Sequence, residues 1–173
     1  MKKNITLLCL LLCSVVLYAQ DTIFDYSRIG NTEAIKRLYK ENTKIIDTLN
    51  NKGFTPLILA VYNNQEATVD FLLAHKAATD VQDIYGNTAL MGACFKGYEG
   101  IVKKLIAHGT DVNKRNYNQA TALIFAATFG HAAIVKALIA HGADVSLQDS
   151  RGNTALDHAR MQENEEILKI LEK

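Results

Sequence analysis

Three histidines, His75, His108 and His141, recur at an interval of 33 residues, and stacked imidazoles would be the chain's most direct route to a metal site. A zinc ion needs each ligating nitrogen within about 2.1 Å, whereas equivalent positions on stacked helices lie roughly 8–10 Å apart. One ion cannot bridge two of them. Each falls where a helix should end, and a partial positive charge is favourable there. His131 and His158 have no cysteine or second histidine at ligand spacing. We expect no metal and no cofactor.

Nucleophiles are equally sparse. The chain has no glycine-rich loop ending in Lys-Ser or Lys-Thr, no His-Glu-x-x-His and no Gly-x-Ser-x-Gly, the local arrangements that phosphate binding, zinc hydrolysis and serine catalysis use. Beyond residue 20 the serines are Ser27, Ser146 and Ser150 and the one thiol is Cys94. A serine–histidine–carboxylate site is defined by geometry, so a hollow holding His131 or His158 beside a serine and a carboxylate would mark an enzyme assembled across distant segments. No catalytic residue is assigned from the sequence. The charge balance, 19 Lys and Arg against 18 Asp and Glu, lacks the basic face that phosphate neutralisation requires, and Lys103, Lys104, Lys114, Arg115 and Lys136 are interspersed with acids and neutral residues. Nucleic acid is therefore not the expected partner.

The elements that would position such groups follow one period. Gly53-Phe54-Thr55-Pro56-Leu57, Gly86-Asn87-Thr88-Ala89-Leu90, Gln119-Ala120-Thr121-Ala122-Leu123 and Gly152-Asn153-Thr154-Ala155-Leu156 superimpose at an offset of 33. Asn50, Asp83, Asn116 and Asp149 stay in phase with them, as do Ala60, Ala93, Ala126 and Ala159, and Leu72, Leu105, Leu138 and Leu171. Each column has a physical reason. Asn or Asp followed three residues later by Gly suits a tight turn. The threonine suits a helix N-cap, with Pro56 at a first helical position. Alanines on the first helix allow close approach of neighbours, Gly97 and Gly130 suit a left-handed helix end, and Val69, Leu72 and Leu73 with their equivalents form one buried face of a second helix.

This pattern resembles the ankyrin repeat. The resemblance covers everything after the first twenty residues and implies an all-α solenoid of helix-turn-helix units joined by short β-hairpin loops. We expect a degenerate unit at 21–49, repeats at about 50–82, 83–115 and 116–148, and a C-terminal capping repeat at 149–173. Arg160 and Glu163 stand where Ala127 and Gly130 stood, the polar substitutions a terminal cap needs, so the array is read as complete. Cys94 falls in the small buried column of Val61 and Ala127. Where the common repeat has histidine after Thr-Pro-Leu, this chain has Ile58, Met91, Ile124 and Asp157, so the histidine's polar bridge must be replaced. Gln119, where the other units have glycine, is expected to be strained if the turn needs positive φ.

The family resemblance also implies recognition of a protein through the concave surface of hairpin tips and first helices. Its variable positions, carried onto this chain, give Phe54, Tyr62, Ile84, Tyr85, Phe95, Lys96, Tyr117, Asn118, Phe129, Arg151 and Met161 as partner-binding candidates. Six of the twelve aromatic residues beyond residue 20 lie on this ridge, Phe54, Tyr62, Tyr85, Phe95, Tyr117 and Phe129, where the fold does not ask for large apolar groups. The other six, Phe24, Tyr26, Tyr39, Phe71, Tyr98 and Phe125, are expected to be structural.

Residues 1–20 fall outside the repeat. Lys2 and Lys3 precede an apolar stretch from Ile5 to Ala19, which reads as a signal peptide cut near Ala19 or Gln20. A membrane anchor or a lipoprotein signal on Cys13 are the alternatives; the stretch is shorter than the roughly 17–25 residues a span needs, and Leu12 is bulky for the position before a lipidated cysteine. The expectation is a monomeric, non-catalytic adaptor or scaffold, periplasmic or secreted, off the membrane once processed. An exported effector or inhibitor that occludes a target enzyme is the rival reading. N-terminal sequencing of the protein from the envelope fraction should begin near residue 20 or 21; Met1 or Lys2 would instead mean an uncleaved anchor, and a lipid on Cys13 a lipoprotein.

Overall fold

The computed structural model describes residues 23–172; the leader, residues 1–20, lies outside them. Helical residues 23–29 (α1) and Thr32–Glu41 (α2) form the first antiparallel pair, followed by a short 3-10 turn at Thr43–Asp47. Four further pairs succeed it: α3 (Pro56–Tyr62) with α4 (Glu66–Ala74), α5 (Ala89–Lys96) with α6 (Glu99–Ala107), α7 (Ala122–Thr128) with α8 (Ala132–Ala140), and α9 (Ala155–Met161) with α10 (Glu165–Leu171). First helices pack on first helices and second on second, giving an inner layer α3–α5–α7–α9 and an outer layer α4–α6–α8–α10.

The alanine column makes the inner layer possible. Ala60, Ala93, Ala126 and Ala159 are all fully buried, and with no atoms beyond Cβ they let adjacent helices close on each other. Cys94 is enclosed beside them, and burial pushes its thiol far above the usual range, which leaves it a small inert core residue. Leu72, Leu105 and Leu138 fill the space between layers, each fully buried.

Every first helix of the four later pairs begins in the same way. Thr55, Thr88, Thr121 and Thr154 accept hydrogen bonds from the backbone N–H of Ile58, Met91, Ile124 and Asp157, caps worth about 1 kcal/mol each. Asp157 returns the favour, accepting from both Thr154 N and Thr154 Oγ1 at 2.9 and 2.7 Å. Those bonds, first the hydroxyl and then the backbone, hold its carboxyl below the ordinary range.

The loops between pairs are held without β-ladders; among the described residues there is no strand. In each hairpin the Asx side chain does the closing. Asn50 Oδ1 accepts from Lys52 N and Phe54 N, and Asp83, Asn116 and Asp149 do the same with the residues two and four ahead. Successive hairpins are then laced by Ile84 N to Lys52 O, Tyr117 N to Tyr85 O and Ser150 N to Asn118 O at 3.2, 3.2 and 2.8 Å.

The missing histidine bridge is replaced twice over. Ile58, Met91 and Ile124 are buried apolar contacts, and the polar role passes to the column before the Asx residue. Gln82 Nε2 donates to Gly86 O in its own hairpin and to Arg115 O in the next; Arg115 repeats this toward Gln119 O and Gln148 O. A third ladder runs along the other edge, where Asp47, Asp80 and Asn113 accept from the backbone N–H of Ala78, Asp111 and Asp144.

Gln119 adopts φ +61°, the strained conformation expected of a hairpin residue that replaces glycine. Gly86, its counterpart one unit earlier, does not admit such a replacement: a Cβ there would lie 2.6 Å from Tyr117 N. An L-residue in this region carries a penalty of roughly 1–2 kcal/mol, of which glycine's unfolded-state entropy takes back about 0.4–1 kcal/mol. Gln119→Gly should therefore be as stable as the natural protein or up to about 1 kcal/mol more stable in urea unfolding, and Gln119→Ala should not gain; a clear loss in the glycine variant would mean that the Gln119 side chain supports the turn.

Candidate protein-binding ridge

Hairpin tips and first helices present the candidate residues along one side of the array, and the structure separates them into two groups. Tyr85 and Tyr117 stand at the tips with 62% and 67% of their surface exposed. Phe95 and Phe129 meet edge to face, ring centroids 4.6 Å apart, and both remain exposed. Ile84, Lys96, Asn118, Arg151 and Met161 are likewise exposed. Phe54 and Tyr62 are half-buried against the core and against each other, centroids 6.2 Å apart; burial, and after it the nearby Asp83, raises the Tyr62 phenol above its usual range.

The difference has a local cause. The Tyr62 ring lies over Gly92 of the next unit, where a Cβ would come within 3.1 Å of it. Phe95, one unit on in the same column, instead meets Phe129 edge to face and stays exposed. In the next unit the column holds only Thr128, whose hydroxyl folds back onto Ile124 O at 2.7 Å. The space an aromatic ring would fill is left open there.

That gap is a hollow of about 300 Å³ between the last two units, lined by the apolar Ile124, Phe125 and Phe129 and the polar Asn118, Ser150 and Arg151. His158 and Asp149 also line it. This is the combination of histidine, serine and carboxylate that would mark an assembled enzyme, so its bonding decides what it can do. His158 Nε2 lies 2.9 Å from Asp149 Oδ2, while Asp149 Oδ1 accepts from the backbone N–H of Arg151 and Asn153. Among the described residues no hydrogen bond links Ser150 Oγ to His158. The pair ties α9 to its own hairpin. Burial opposes the charge on Asp149, but the hydrogen bonds from His158, Asn153 N and Arg151 N outweigh it and leave the carboxyl below the ordinary range.

The other histidines are also structural in their contacts. His75, His108 and His141 cap the ends of α4, α6 and α8, each Nδ1 2.7–2.8 Å from the carbonyl four residues earlier. His131 lies against Gly97, so that a Cβ there would fall 2.5 Å from the ring.

A family model described as ankyrin repeats (3 copies) matches residues 23–116 and again residues 90–173. The chain belongs to the ankyrin-repeat family. No curated protein matches it. Ankyrin repeats are in general protein–protein interaction modules, and the family is typically non-catalytic. In an ankyrin array the ridge is the surface the fold leaves free, and here it concentrates exposure: Tyr85, Phe95, Tyr117 and Phe129 are the exposed aromatics among the described residues, while Phe24 is buried and Tyr26, Tyr39, Phe71, Tyr98 and Phe125 pack against the core.

The His158–Asp149 pair also gives the array a pH dependence of known sign. A carboxyl with a depressed folded pKa stabilises above its unfolded value of about 3.9 and loses that contribution as pH falls through the folded value. Asparagine already serves as the turn acceptor at Asn50 and Asn116, so Asp149→Asn keeps the turn acceptor and replaces Oδ2, the atom facing His158, by an uncharged amide NH2. The variant should melt below the natural protein near pH 6, and the gap should close as pH falls below about 4; an equal gap at pH 6 and pH 3 would show that the charge contributes nothing.

Proposed function

We propose that this ankyrin protein is a non-catalytic adaptor or scaffold that acts as a monomer in the periplasm or outside the cell and binds a protein partner through the ridge. The observation that carries the reading is the gathering of the exposed aromatics at Tyr85, Phe95, Tyr117 and Phe129. Large amphipathic rings held out on a rigid frame are what dominates binding hot spots, and the fold itself draws little from the two tyrosines. The location rests on Lys2, Lys3 and the apolar stretch from Ile5 to Ala19. No helix of the described residues is long and apolar enough to cross a membrane.

The test begins with affinity purification of the partner from the envelope fraction and its identification by mass spectrometry. Replacing Tyr85 and Tyr117 together by alanine should then abolish binding, since each buried interfacial tyrosine lost costs upwards of about 2 kcal/mol. Thermal unfolding should stay nearly unchanged, because exposed substitutions shift stability by only about 0.5 kcal/mol. A double variant that melts several degrees lower would make these packing residues. One that melts normally and still binds would move the interface elsewhere.

A further inference from the structure

The charges on the ridge differ from those on the back of the array. On the second helices four cations are matched, Lys36 with Glu33, Lys103 with Glu99, Lys136 with Glu166, and Lys104 with both Asp70 and Glu66 at 2.9 and 3.0 Å, while Arg37, Lys40 and Lys169 have no ion pair among the described residues. None of the eleven ridge candidates is a carboxylate, and the ridge carries the cations Lys96 and Arg151 together with Lys52 of the first hairpin. Among the described residues none of these three has a carboxylate within ion-pair reach. Asp149, two residues before Arg151, has its oxygens taken by His158 and by two backbone N–H groups, and no ion pair joins it to the Arg151 guanidinium.

Two of these cations frame one apolar patch. Lys96 holds its ammonium 5.4 Å from the Phe95 ring centroid, Phe95 meets Phe129 edge to face, and Phe129 and Arg151 of the next unit both line the hollow. The order along the successive units is therefore cation, aromatic pair, a hollow of mixed apolar and polar lining, cation. At about 300 Å³ the hollow is at the lower end of the roughly 300–1,000 Å³ of small-molecule sites, and it is open to solvent, which suits one side chain carried on a longer chain.

We propose that this patch seats an acidic, extended segment of the partner protein, with one leucine- or phenylalanine-sized side chain in the hollow between Phe129 and Arg151 and carboxylates on either side reaching Lys96 and Arg151. The proposal rests on the adaptor reading and specifies the chemistry of what is bound. Unmatched cations around an apolar seat select an acidic partner and speed its approach, because like-charged or neutral competitors gain nothing from them, and exposed pairs of this kind weaken as salt is raised.

A random twelve-residue peptide display library panned on the purified protein tests this directly. The enriched sequences should combine at least two acidic residues with a leucine, isoleucine or phenylalanine between them. A synthetic peptide of the enriched sequence should lose at least tenfold in affinity on Arg151→Glu and, separately, on Ala120→Leu, which fills the hollow from its wall; circular dichroism melts confirm that both variants fold, and the same peptide with its acids replaced by lysine should not bind. Neutral or basic winners, or acidic winners that bind Arg151→Glu as well as the natural protein, overturn the proposal. Self-association at the panning concentration that Arg151→Glu abolishes overturns it too, in favour of a second copy of this chain. If no peptide is enriched while a partner recovered from the envelope is still lost on replacing Tyr85 and Tyr117, the adaptor reading stands and the segment proposal fails.

Discussion

Everything in this array depends on how closely one first helix can approach the next. That distance is set by Ala60, Ala93, Ala126 and Ala159, one per unit and all enclosed. A longer side chain in this column would hold α5 away from α7, and the damage would not stay local. The hairpin bonds from Ile84 N to Lys52 O and from Tyr117 N to Tyr85 O, and the side-chain ladders through Gln82 and Arg115, all bridge neighbouring units. Each is short enough to form only when the inner helices are in contact. Apolar stacking therefore sets the spacing, and the polar ladders fix the register at that spacing.

The same geometry explains why the ridge is available for binding. Turn closure is done by Asx side chains and backbone, and helix starts by threonine hydroxyls, so the residues that face outward from the tips are not needed to hold the hairpins. Where a ridge residue is drawn into the frame, the reason is a particular neighbour. Tyr62 lies over Gly92, and Thr128 leaves the hollow that His158, Asp149 and Arg151 help to line. A regular scaffold thus produces an irregular surface, and one column occupied by Tyr, Phe, Thr and Met in successive units is enough to do it.

The columns that made the fold legible in the sequence are those in which one residue type repeats. Alanine, threonine, Asx and leucine recur in phase because the same contact recurs, and each turned up in the role its chemistry implied, down to the strained backbone at Gln119. The long-reach polar ladders were not legible. Gln82 and Arg115 differ in type, and their partners are backbone carbonyls, which carry no sequence signal; the column of Asp47, Asp80 and Asn113 was in phase and could have been found. The candidate ridge was legible as a set of positions but not as a surface. Whether a ring at such a position is half-buried or exposed depends on its neighbours in the next unit, as with Tyr62 over Gly92, and the hollow with its His158–Asp149 brace lies where the column holds the small Thr128.

Urea unfolding of two variants that introduce the same residue at two kinds of position tests the account most directly: Ala126→Leu in the enclosed column and Asn118→Leu on the ridge. Overpacking a close-packed contact typically costs about 1–3 kcal/mol, whereas an exposed substitution stays within about 0.5 kcal/mol. If the spacing of the inner helices governs the array and the ridge is free of it, Ala126→Leu should lower the unfolding midpoint markedly and Asn118→Leu should leave it in place. Equal stability in both variants would contradict the claim that the alanine column sets the spacing, and an equal loss in both would contradict the claim that the ridge is independent of the fold.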